Sequence, residues 1–64
     1  MITLTKFQTK DDFVLNSDLI ETIEETPDTV ITLTSGRKII VEESSNDIIY
    51  KILEFRRELG RFIK

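Results

Sequence analysis

The stretch from Ile20 to Val41 constrains the fold most. Runs rich in β-branched residues lie on either side of Thr26-Pro27-Asp28-Thr29, and another follows Ser35-Gly36, so the chain must reverse twice within this stretch. Val30 to Thr34 alternates cleanly, placing Ile31 and Leu33 on a core face and Val30, Thr32 and Thr34 on the other. In Lys38 to Glu42, Ile39 and Val41 share a face and Ile40 takes the opposite one, so Ile40 and Val30 can form a second apolar surface. Leu19 to Thr26 is ambiguous by spacing alone. Its β-branched Ile20, Thr22, Ile23 and Thr26, and Pro27 just behind it, decide for a strand with room for a bulge between Ile20 and Ile23.

Upstream, Ile2, Leu4 and Phe7 mark a first strand and its core side, and Phe13-Val14-Leu15-Asn16 returns as its antiparallel partner. Asn16-Ser17-Asp18 makes the next bend, and Pro27-Asp28 suit a type I turn. Downstream, Ser44 or Ser45 can cap a helix over residues 46 to 63. Ile48, Ile52, Phe55, Leu59 and Phe62 form its apolar stripe, which Ile49, Leu53 and Ile63 widen to roughly 180°, beyond what a simple core-facing helix needs. The reading is therefore α+β: a small antiparallel sheet of about five short strands in at least two hairpins, then one amphipathic helix. Residues 1–64 are expected to form a single domain, with the sheet in 1–44 and the helix in 45–64.

A 64-residue chain buries a small core, and chains of this size usually gain a disulfide, a metal or a partner copy. With no Cys and no His, self-association is the favoured supplement, and Ile49, Leu53, Arg56, Gly60 and Ile63 are its expected surface. Arg56 falls inside the apolar arc. It should pair with Glu21, Glu24 or Glu42 of the sheet, or lie at a subunit boundary. Residues 1–50 hold ten acids and four bases, and residues 51–64 two acids and five bases. The sheet part is acidic, and the basic helix face, Arg57, Arg61 and Lys51, is the expected partner-binding surface, with the acidic loop from Glu24 to Asp28 as its competitor.

No Gly-rich phosphate loop, nucleophile elbow or metal-ligand spacing is present, so no cofactor and no catalysis are expected. The longest aliphatic run, Ile39-Ile40-Val41, is far short of the roughly 20 residues that span a bilayer. The start of the chain lacks the pattern of a signal peptide, and a cytoplasmic address without direct membrane insertion is expected.

Ile2-Thr3-Leu4-Thr5, Phe13-Val14-Leu15-Asn16, Leu19 through Thr34, Gly36, Lys38 and Val41 together resemble the FlbD-like flagellar proteins, also called the swarming motility protein SwrD family. The resemblance implies an accessory protein of flagellated bacteria that supports swarming by raising motor power, through contact with the stator or motor. One departure is visible: where that family places an Asn-Gly type turn after its first strand, this chain has Gln8-Thr9-Lys10-Asp11-Asp12, which leaves the shape of the loop open. The opening Met-Ile-Thr-Leu-Thr also looks superficially like the small carbon-storage regulators that bind RNA. Acidic strands weigh against that alternative, because phosphate recognition wants a basic contacting face.

Overall fold

The computed structural model describes residues 1–63, with side chains described for residues 1–60. Five strands precede one helix: β1 (Ile2–Thr5), β2 (Asp12–Leu15), β3 (Ile20–Glu25), β4 (Thr29–Leu33), β5 (Lys38–Val41) and α1 (Ser45–Ile63). The expected sheet is divided in two. β1 and β2 form an antiparallel hairpin, and β3, β4 and β5 form an antiparallel meander with β4 at the centre. The two pieces are joined where Lys6 bridges Val41. Beside that bridge, the Glu42 N–H donates to the Thr5 carbonyl at 2.9 Å and the Phe7 N–H to the Ile40 carbonyl at 3.0 Å.

Alternation decides what each strand buries. Ile2 and Leu4 of β1, Leu15 of β2, Ile31 and Leu33 of β4 and Val41 of β5 point inward and are buried, and Ile48 of α1 closes the cluster from above. Phe13, Ile20, Ile23, Ile39, Ile52 and Phe55 pack around it half-buried. Each fully buried aliphatic side chain stabilises the fold by about 1.5–3 kcal/mol relative to exposure. Val30 and Ile40 are cross-strand neighbours on the opposite face, as the sequence pattern implies, with Ile40 left exposed.

The bend at Asn16 to Asp18 becomes a short 3-10 turn over Ser17–Leu19, capped by the Asn16 side chain, which accepts from the Asp18 N–H at 3.0 Å. The strand reading of the next segment holds, and its register slips between Ile20 and Thr22, within the interval expected for a bulge. Phe7 corrects the reading of β1. It lies beyond the end of the strand and is 42% exposed, because the period set by Ile2 and Leu4 turns position 7 outward.

The β1–β2 connection shows how the chain manages without an Asn-Gly turn. Lys10 adopts the left-handed conformation, φ 62°, while its N–H donates to the Lys6 carbonyl at 3.0 Å and the Lys6 N–H donates to the Asp11 carbonyl at 2.9 Å. A residue with a Cβ there costs about 1 kcal/mol or more. The Lys10 side chain forms an ion pair with Glu42 and places its Nζ 5.2 Å from the Phe7 ring centroid. An exposed pair of this kind contributes under about 1 kcal/mol, so it offsets only part of the strain. In the β4–β5 turn the same backbone need falls on Gly36, φ 91°, which meets it without penalty.

Candidate interaction surfaces

The helix starts where two different side chains satisfy its first N–H donors. The Ser44 hydroxyl accepts from the Asp47 N–H at 3.1 Å, so Ser44 is the N-cap. Glu25, at the end of β3, accepts from the Ser45 N–H at 2.7 Å. That backbone hydrogen bond, seconded by the Ser45 side chain, holds the Glu25 carboxyl below its ordinary range. Glu43 grips the other sheet: its Oε1 accepts from the Thr5 N–H at 2.9 Å and its Oε2 from the Thr5 hydroxyl at 3.0 Å. That hydroxyl also lies 3.1 Å from Asp12 Oδ1, and its single proton must serve one acceptor at a time. Partial burial alone would raise the Glu43 carboxyl, but the Thr5 backbone and side-chain bonds and the Lys51 charge outweigh it, and the carboxyl is lowered. Glu25 and Glu43 thus fasten the start of the helix to both sheets.

Beyond this anchor the helix presents a flank to solvent. Ile49 is 47% and Leu53 58% exposed, and Arg56 and Gly60 continue the same stripe, also exposed. A Cβ built on Gly60 would meet nothing within 4 Å. Ile63, expected on this surface, has its side chain outside the described residues. Arg56 departs from its expected sheet partner: it is exposed, and among the described residues it forms no ion pair with Glu21, Glu24 or Glu42. The physical reason is its position on the helix flank, which the sheets do not reach, while Glu42 is taken by Lys10.

Two of the three residues of the expected basic face have described side chains. Arg57 projects into solvent with its Nη1 3.3 Å from Glu54 Oε1, one turn earlier. Lys51 is half-buried beside Glu43, and six residues of helix separate it from Arg57, a rotation of about 120° around the axis. The side chain of Arg61 lies outside the described residues. Arg57 and Lys51 therefore stand toward opposite margins of the polar side of the helix.

Another basic site was not singled out by sequence reading. Lys6, Gln8 and Thr9 from the β1–β2 connection and Arg37 and Lys38 from the start of β5 line a surface recess of about 280 Å³. These residues lie far apart in sequence and carry no motif. Only the antiparallel docking of the chain after β1 onto β5, through the Lys6–Val41 bridge, brings them together. No cluster of metal-ligating side chains occurs among the described residues, and no described helix is long and apolar enough to cross a membrane.

Two small antiparallel sheets and one C-terminal helix make this a small α+β protein. A family model described as flagellar and swarming motility proteins, FlbD, matches residues 1–60, and the chain belongs to this family. No match was found among curated proteins or among solved structures.

Proposed function

We propose that this protein is a non-enzymatic, cytoplasmic accessory factor of the flagellum of the swarming motility protein SwrD kind. It raises motor power through protein–protein contact with the stator or the motor, and acts as an assembly of more than one copy. The observation that carries this reading is family membership across residues 1–60. The exposed flank of Ile49, Leu53, Arg56 and Gly60 supports it, because adjoining aliphatic residues on one side of a helix suit an interface between copies. Arg57, held near the end of that flank, supplies charge for approach and register more than for affinity.

The test is genetic and mechanical. Deleting the chain should reduce swarming and the torque of single motors, and wild-type protein should restore both; unchanged torque would reject the motor role. Complementation with Arg57→Glu and Arg61→Glu together should fail although circular dichroism shows a folded protein. Full restoration by that variant would remove the helix face from the partner site.

A further inference from the structure

We propose that the recess between the β1–β2 connection and the start of β5 is a docking site for an acidic, extended peptide segment of a partner protein. This names a site on the sheets and a partner chemistry, and rests on the reading of the chain as a binding module. The charge distribution is the first ground. Residues 1–50 contain only four bases among ten acids. Lys10 is engaged with Glu42, and the remaining three, Lys6, Arg37 and Lys38, all line this recess. No carboxylate lines it, and among the described residues none of the three forms an ion pair. On a chain of net charge −3, this concentrates uncompensated positive charge at one place.

The backbone is the second ground. The Leu33 N–H donates to the Arg37 carbonyl at 2.8 Å, and Thr32 faces Lys38 in the next pair. Antiparallel alternation therefore turns the Lys38 N–H and C=O away from β4, toward the free edge of β5. Ile40, two residues on, shows the same orientation in use, since its carbonyl accepts from the Phe7 N–H. An extended segment can continue from where the Phe7 contact stops, bonding the Lys38 main chain while its carboxylates face Arg37 and Lys38, as in strand addition to a sheet edge. Lys6 contributes a third charge, its Nζ resting 5.8 Å from the Phe13 ring centroid. A compact anion would use the charges but not the strand edge, which is why the extended peptide is favoured.

The experiment titrates the full chain into a fluorescein-labelled peptide of alternating Glu and Val and reads anisotropy, with amide chemical shifts followed in parallel. Expected are saturable binding that weakens with added salt, and shifts centred on residues 6–9 and 37–40. Affinity should fall about tenfold in Arg37→Gln/Lys38→Gln, as loss of two partly exposed charge contacts implies, while the melting temperature stays put. Lys38→Pro, which removes only one more donor than Lys38→Ala at the first position of its strand, should bind more weakly than Lys38→Ala. Absence of peptide binding, shifts confined to the helix, or equal affinity in the double Gln variant would each overturn the proposal. Preferential capture of inorganic phosphate or single-stranded RNA by the recess would overturn its assignment to peptide. Motor torque is a separate readout: peptide binding without any torque effect of deletion leaves the site standing and removes the flagellar role.

Discussion

The two halves of α1 carry one apolar rhythm and meet different fates. Along the stripe that faces the sheets, Ile48 is fully buried and Ile52 and Phe55 pack against the core, whereas at its far end Leu59 is 41% exposed. Length explains the contrast. A helix of 19 residues spans about 28 Å, while strands of 4 to 6 residues span about 13–20 Å. The helix outruns the sheets beneath it, and the molecule is drawn out to 39 Å along its longest axis. Periodicity says which residues would be buried if something lay beneath them; it does not say that anything does.

The sharpest way to break this comparison is a matched pair of truncations followed by denaturant unfolding. Ile48→Ala should cost about 3 kcal/mol, as cavity formation at a fully packed site does, against under about 0.5 kcal/mol for Leu59→Ala. Comparable losses at high protein concentration would mean that another copy covers the far half.

Next in size is the fixed end of the helix. Ser44→Ala removes the acceptor for the Asp47 N–H and should cost about 1 kcal/mol by the same measurement. No loss would show that Glu25 alone suffices as a cap. At the far end, Gly60→Ala should stabilise an isolated copy by up to about 1 kcal/mol through helix propensity, since the added methyl meets nothing. If Gly60 lies between copies, the same variant should instead lower the mass measured by light scattering.

The smallest effect separates the anchored end by pH. The Glu43 and Glu25 carboxyls are lowered from 4.5 in the folded chain, so their stabilisation is fully present above that value and is lost as pH falls through their folded values. Glu43→Gln should therefore flatten the acid limb of a stability profile below pH 4.5. Identical acid limbs in wild type and Glu43→Gln would contradict the Thr5–Glu43 clamp.

Much of the architecture was legible beforehand, because local rules act within a few residues. Two-residue alternation marks Ile31, Leu33 and Val41 as core, β-branching and Pro27 settle the strand just ahead of that proline, and the serines before Asn46 announce the helix to within a residue. The misses involve partners distant in the chain. Arg56, which the sequence assigns to a sheet carboxylate or a subunit boundary, is exposed and pairs with none of Glu21, Glu24 or Glu42 among the described residues, and Phe7 lies past the end of its strand. Charge totals by segment likewise hid three sheet cations behind ten acids.

What the amino-acid order determined by itself is the menu of elements and their inward faces, since propensity, capping and alternation are read from neighbours along the chain. Which charges meet, and which apolar residues remain bare, was decided only when β1 docked on β5 and the helix proved longer than its support. Those outcomes depend on distances between segments some thirty residues apart, as between Lys6 and Arg37, and no local rule carries that information.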